Sequence, residues 1–581
     1  MMADDADGDA EMADAAEDDD DDDDDPALRD AIAMSLSSGG AAATKKKQPE
    51  PPPEFNFVTA LFFLTVRGVR LGLVAELARH QAEQEQLAHA ARRLGHDDPH
   101  IVGAAAHGLA VEAMLFDDDL VDDALRFSAW TCRWLLRLPD DVLKKTPEHV
   151  LEDVATLPTV VARFRPDAVR RAEPLRDLLA VIARCLGRKD ALVRSPHTRD
   201  KLCQALFECF LPPDARDHMV SSRPTRPRRG GRRSGWGADD DAEPYSEANV
   251  ALLVSSASSA TSPAVSVPMT TTTTTTSAPG SSSSSGTTGS STSSERGGAV
   301  SVVDALAPAL LWLFGDAERL GFYDATPARL RVAALVRQLW TAPAHRAAFR
   351  TLAVDRSAFV TFANGLLNET NRTIAAAIEK LPQIRDHQVR TGVLAVDRAA
   401  DPELAALRDD YQAADQARRD ELDQRFDEVE RYLSGDLALC TETLSLVELL
   451  TSDAAVAAAF GLPELRSRLG GMLLSVMRSF TGRRSLHIKI ESPEKYGFDP
   501  RDILTRVGRV VARFAKKSTG REDADDDGGG ASAHFASALA ASGFFDAQLL
   551  PKTAATLRKI RTLEPGDVDA LDRLPPPPRG A

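Results

Sequence analysis

The constraint that narrows this chain most is the spacing of its apolar residues. Leu61, Phe62, Leu64, Val66, Val69, Leu73, Val74 and Leu77 recur at steps of mostly two to four. That spacing puts a broad buried stripe on a helix, which should continue through an Ala-, Gln- and Glu-rich stretch to Leu94. Similar apolar faces occupy residues 125–138, 175–186, 202–211, 306–314, 330–340, 359–378, 433–450, 465–480 and 503–514. Helix follows helix across short Pro- or Gly-marked links without βαβ alternation. The pattern predicts an all-α protein, an armadillo-like α-superhelix more than a compact bundle. An aromatic content of 6% agrees, since strands enrich aromatic and β-branched residues. No clean period accompanies the helices, so any repeat is structural.

Composition shifts divide the chain. Residues 1–25 hold fifteen acids and no base, and without them 72 acids face 70 bases. The body is therefore electrically balanced, and nucleic-acid binding across a uniformly basic surface is not expected. The acidic tail holds almost nothing to bury and should be disordered. Residues 26–38 read as one short helix and 39–54 as a linker, with core helices over 55–214. Residues 215–300 run through RPTRPRRGGRR and then through TTTTTTT and SSSSS, which cannot offset ordering entropy, so they read as a disordered insertion. Further core helices are expected over 301–520, an acidic Gly-rich loop over 521–530, last helices over 531–573 and a Pro-rich tail over 574–581. The apolar run 57–66 is stopped by Arg67, short of the roughly 18–20 residues that cross a bilayer, so no membrane contact is expected. The acidic N-terminus does not resemble a secretory signal, and a cytoplasmic and nuclear protein is expected.

A search for chemistry returns little. The sequence holds no GxxxxGK[ST], HExxH, GxSxG or CxxC. Cys132, Cys185, Cys203, Cys209 and Cys440 each lie in an apolar run, where a thiol packs as a small hydrophobe. No catalytic residue, metal ligand or cofactor is expected. His96 and His100 flank a DDP turn that reads better as a solvated loop than as a metal site. Arg223, Arg226, Arg228, Arg229, Arg232 and Arg233 read as a solvated linker or, second, as a nuclear import signal.

One short segment differs in kind. Acids run directly into Leu28, Ala31, Ile32, Ser35 and Leu36, spaced i, i+3, i+4, i+7 and i+8 on one helical face, with Pro26 suited to the first turn. This looks like a ubiquitin-interacting motif, matched at Asp23, Asp24, Asp25, Leu28, Ala31 and Ser35. A small Ala31 would let the helix approach a shallow apolar patch. Leu28, Ile32 and Leu36 would flank it, and Ser35 would hydrogen-bond a backbone group while the acids meet a basic rim. The motif's usual trailing acid is replaced by Ser37 and Ser38.

From Asn56 onward the chain resembles the core of the ubiquitin conjugation factor E4 family, the chain-elongating ubiquitin ligases. The resemblance runs in order through NFVTALFFLTVRGVRLGL, AMLFDDDLVDDALRFSAWTCRWLLRL, TPEHVLEDVATLPTVVARF, LVRSPHTRDKLCQALFECFLP, LAPALLWLFGDAERLGFYD, ALVRQLWTAPAHRAAFR and FVTFANGLLNETNRTIAAAIEKLPQI. It ends at SLHIKIESPEKYGFDPRDIL, whose PEKYGFDP is the most recognisable string. The resemblance implies a scaffold for ubiquitin chain elongation in proteasomal degradation. Its partners would be ubiquitin and ubiquitylated substrates, a ubiquitin-conjugating enzyme recruited through a U-box, and an AAA segregase. The low-complexity insertion departs from the family pattern, and no U-box is expected within the residues that remain before PPPPRGA. The alternative is a non-enzymatic ubiquitin-binding adaptor that uses the same scaffold.

Overall fold

A computed structural model describes residues 56–95, 97–169, 172–187, 192–212, 247–254, 301–399, 401–481, 489–516, 535, 538–539, 546 and 548–574. Contacts divide the chain into two units at the Phe62/Phe63 boundary. The first is described only over residues 56–62, the opening turns of one helix, where Phe57 and Val58 are exposed. Apart from the helix that carries this boundary, the description that follows concerns the unit from Phe63 onward.

Helix α1 (Phe57–Gly68) passes through a π-helical turn (Val69–Val74) into α2 (Ala75–Leu94). Here the structure overturns one expectation. The apolar stretch does not stop at Arg67, because a single arginine is well tolerated in a helix and Val69, Leu71, Leu73 and Val74 follow it. The continuous stretch Phe57–Ala88 is, by length and composition, apolar enough to cross a membrane, with a mean hydropathy of 1.7 over its 18-residue window. Its later part is nevertheless seated on protein: Leu73 and Leu77 are buried, and Arg70 pairs with Asp153 at 3.3 Å.

The body continues as α3 (Pro99–Leu115), α4 (Asp118–Arg137), α5 (Glu148–Phe164), α6 (Ala172–Leu186), α7 (Pro196–Phe210) and α8 (Glu247–Val254). There follow α9 (Val302–Asp316), α10 (Phe322–Trp340), α11 (Pro343–Val354), α12 (Arg356–Arg390), α13 (Pro402–Ala413), α14 (Gln416–Ser452) and α15 (Ala454–Phe460). The last helices are α16 (Pro463–Thr481), α17 (Pro500–Lys516), α18 (Leu549–Ile560) and α19 (Pro565–Asp572). No strand occurs among the described residues, so the all-α expectation holds. Each helix packs on near neighbours in the chain: α4 on α5 and α6, α5 on α7, α7 on α10, α9 on α12, α12 on α14 and α16, and α14 on α17. Sequential stacking of this kind builds one continuous apolar core, whose members run from Leu73 to Leu571.

Helix starts follow from side-chain caps. The carboxylate of Asp117 accepts from Leu120 N at 3.1 Å, and the Ser195 hydroxyl accepts from Thr198 N at 3.3 Å. Proline at the first helical position of α3, α7, α11 and α13 gives up a donor that would have had no partner there. The end of α4 is held from another helix: the Arg184 guanidinium donates to the carbonyls of Leu135, Leu136 and Leu138 and to Asp140.

The reading of 215–300 as wholly disordered requires correction at one place. Residues 247–254 form α8, which packs against α6 and α7. Asn249 donates to Val169 O at 2.9 Å and Cys209 O at 3.1 Å, and Leu253 is fully buried. A short NVALLV run beside long low-complexity stretches was too brief to stand out by periodicity. The remaining residues of 215–300 lie outside the described residues.

Candidate functional site

The eight proposed ubiquitin-contacting residues, Asp23, Asp24, Asp25, Leu28, Ala31, Ile32, Ser35 and Leu36, lie outside the described residues. So do His96 and the arginines from Arg223 to Arg233. His100 sits at the start of α3, where its backbone N–H donates to the Asp98 carboxylate at 2.8 Å, so that Asp98 acts as a helix cap. Among the described residues no group of three or more His, Cys, Asp or Glu side chains converges with metal-binding geometry.

The five thiols form no disulfide and are buried. Burial pushes the Cys185, Cys203 and Cys440 thiols up to about 12 and raises that of Cys132 further. A thiol held neutral in this way is a poor nucleophile, since the thiolate is the reactive species. The positive charges of Arg184 and Arg331, felt by Cys185 and Cys203, are too weak to reverse the cost of burial.

The string PEKYGFDP resolves into a packing device in which nearly every residue has a mechanical task. Ser492, in the left-handed region at φ 51°, opens a 3₁₀ turn over Pro493–Tyr496, and Gly497 at φ 67° closes it. Gly497 is the residue type that adopts this geometry without steric cost. Lys495 reaches Glu430 of α14 at 2.7 Å. Tyr496 and Phe498 point inward and are buried, with Phe498 beside the Phe480 ring of α16. Asp499 then caps α17 by accepting from Arg501 N and Asp502 N, and Pro500 is the first residue of that helix. Just upstream, Gln388 of α12 grips the backbone of Glu491 at both ends: its amide donates to Glu491 O at 3.0 Å, and its carbonyl oxygen accepts from Glu491 N at 2.8 Å. The turn thus ties α12, α14, α16 and α17 together.

Ion pairs also join helices in the interior. Arg331 of α10 donates to both carboxylate oxygens of Asp200 on α7, each at 2.7 Å. Arg329 pairs with Glu369 of α12 at 3.0 Å, and Lys380 of α12 with Asp436 of α14 at 2.6 Å. Sequence reasoning missed these pairs because partners such as Asp200 and Arg331 stand far apart in the chain. The local signal, an acid or base on an otherwise apolar face, cannot name its partner.

Taken together, the fold and the described side chains define an all-α protein whose conspicuous described residues hold helices in register. The description "ubiquitin elongating factor core" matches residues 29–225 and 271–575, most of the chain, and leaves out a gap that falls inside the low-complexity region. The chain therefore belongs to the ubiquitin elongating factor core family. It is similar to "Probable ubiquitin conjugation factor E4" of Arabidopsis thaliana, at 26% identity over 37% of this chain and 20% of that protein. It is also similar to "Ubiquitin conjugation factor E4" of Schizosaccharomyces pombe, at 24% identity over 38% of this chain and 21% of the relative. A third relative, "E4 ubiquitin-protein ligase UFD2" of Saccharomyces cerevisiae, is 29% identical over 17% of this chain and 10% of its own length. The chain thus aligns with about a fifth or less of the length of these curated relatives.

Proposed function

We propose that this chain is the scaffold of an E4-type ubiquitin chain-elongation factor, which holds ubiquitylated protein close to a ubiquitin-conjugating enzyme and acts by effective concentration. The observation that supports this reading best is the match to the elongating factor core over residues 29–225 and 271–575. The chemistry of such a factor belongs to the thioester on the conjugating enzyme. A body with sealed thiols is compatible with that division of labour. Ubiquitin would be contacted by Leu28, Ala31, Ile32, Ser35 and Leu36, with Asp23, Asp24 and Asp25 meeting its basic rim. A conjugating enzyme engaged through a U-box and an AAA segregase complete the set of partners, in the cytoplasm and nucleus.

The test is titration of isotope-labelled ubiquitin with the full chain. Weak binding is expected, because one short helix offers a small apolar face. Ala31→Asp should abolish the shifts, since it places a charge at the closest contact. Equal shifts for the two chains would remove the motif from the proposal. In a purified elongation assay, a U-box fused after Leu574 should support chain extension by this scaffold, and no extension with a charged conjugating enzyme present would defeat the elongation reading.

A further inference from the structure

Helix α14 lies between α10 and α17 and packs on both. Four arginines converge over it: Arg337 from α10, and Arg506, Arg509 and Arg513 from one face of α17 at i, i+3 and i+7. Their acidic counterparts are fewer. Glu442 of α14 contacts Arg337. Glu448, only 9% exposed, is shared between Arg509 and Arg506, the latter at 3.0 Å. Asp502 receives the Arg506 Nε–H at 2.6 Å. Among the described residues Arg513 forms no ion pair with a carboxylate and donates to the Glu448 carbonyl at 2.5 Å, with Asp567 acting on it from further off. Asp567 itself pairs with Lys516 at 2.6 Å. Among the described residues four guanidiniums thus face three carboxylates, beside this one further pair.

The arginine cluster is partly open to solvent. The side chains of Arg337 and Arg509 are each 36% exposed and that of Arg506 is 26% exposed. Every guanidinium offers five N–H donors, and each of these commits only one or two to the protein. Burial, followed by Arg506, pushes the Arg337 guanidinium down; burial also depresses Arg513, where Glu448 and Asp567 oppose the shift and Arg509 adds to it.

We infer that the partly exposed arginine cluster over α14 binds an acidic segment of a protein partner, with one Asp or Glu carboxylate seated among Arg337, Arg509 and Arg513. Charge complementarity selects this occupant: one uncompensated positive charge is neutralised by one carboxylate, whereas a phosphate dianion would reverse the sign. A planar carboxylate also matches the guanidinium fork in a bidentate pair. The inference is independent of the ubiquitin contact proposed above, and its readout does not require that contact.

The probe is a fluorescein-labelled peptide of alternating alanine and aspartate, added to the full chain at low salt and followed by anisotropy. The aspartate peptide should bind at least tenfold more tightly than its asparagine counterpart, and affinity should fall as salt rises. Arg509→Gln and Arg513→Gln should each weaken binding at least fivefold. Both leave Glu448 paired with Arg506, and a helical circular dichroism spectrum matching the parent's checks that they fold. Arg509→Lys should recover part of the loss. Equal affinity for the two peptides, or for parent and glutamine variants, would overturn the inference. So would displacement of the peptide by equimolar inorganic phosphate, which would make the cluster a phosphate site.

Discussion

At the scale of single residues, the sealed thiols and the Gln388 bridge carry measurable consequences. An unfolded cysteine ionises near pH 8.5, whereas Cys185, Cys203 and Cys440 resist ionisation up to about 12 in the folded chain. A raised folded-state pKa contributes stability that is full below the unfolded value and lost as pH climbs toward the folded one. Urea midpoints should therefore fall between about pH 9 and 12, and Cys440→Ala should flatten part of that slope. An unchanged slope would mean that other groups set it. Gln388→Ala would strip both hydrogen bonds from the Glu491 backbone at a buried position, at a cost of about 2–4 kcal/mol, measurable by chemical unfolding. The sequence marked the cysteines correctly as core, because each sits in an apolar run that reports its own burial. It could not mark Gln388, since a lone glutamine looks like a solvated surface residue until Glu491, which lies 103 positions away, is placed beside it.

At the scale of elements, α8 shows what periodicity can and cannot reveal. The nine longer apolar stripes all became helices, because each extends over enough turns for its 3.6-residue spacing to be read. Helix α8 has two turns, and its place depends on partners in other helices: Asn249 bonds to Val169 O and Cys209 O, and the buried His345 donates from Nε2 to Leu253 O at 3.1 Å. Asn249→Ala should cost about 1–3 kcal/mol and speed amide exchange selectively over 247–254. Burial depresses the His345 pKa, against the opposing pull of the Leu253 carbonyl and Asp304. A depressed histidine contributes stability above its unfolded value near 6.5 that is lost on acidification. Protection factors within α8, taken relative to the intrinsic exchange rate at each pH, should therefore fall on acidification below the unfolded value, and His345→Gln should remove that dependence. Deletion of residues 255–299 should leave α8 docked, whereas extending the deletion through 247–254 should lower the melting temperature.

At the scale of the whole body from Phe63 onward, stability is spread over many neighbouring contacts, with one exception at the far end of two long helices. Helix α14 has 37 residues, yet its first buried side chain is Leu433. Helix α13 buries none. Residues 391–432 are held mainly by polar links: Arg398 to Asp409, Tyr411 to Asp423, and Arg419 to the carbonyls of Tyr411 and Gln412. His387 joins them from α12, stacked on Phe426 and bonded to Asp423 at 3.0 Å. Exposed ion pairs contribute little and are screened by salt, so amide exchange here should be the fastest in the body and should quicken in 1 M salt. The charged run over this region does not name its partners, since a pair such as Tyr411 with Asp423 shows only once the chain is folded. Heat should register the difference as well. Opening a segment that exposes apolar surface raises the heat capacity, whereas exposing polar surface lowers it, so the two contributions nearly cancel when this arm lets go. In calorimetry the arm should melt ahead of the core as a shallow pre-transition with almost no step in the baseline, its enthalpy nearly constant from a cold room to a fever.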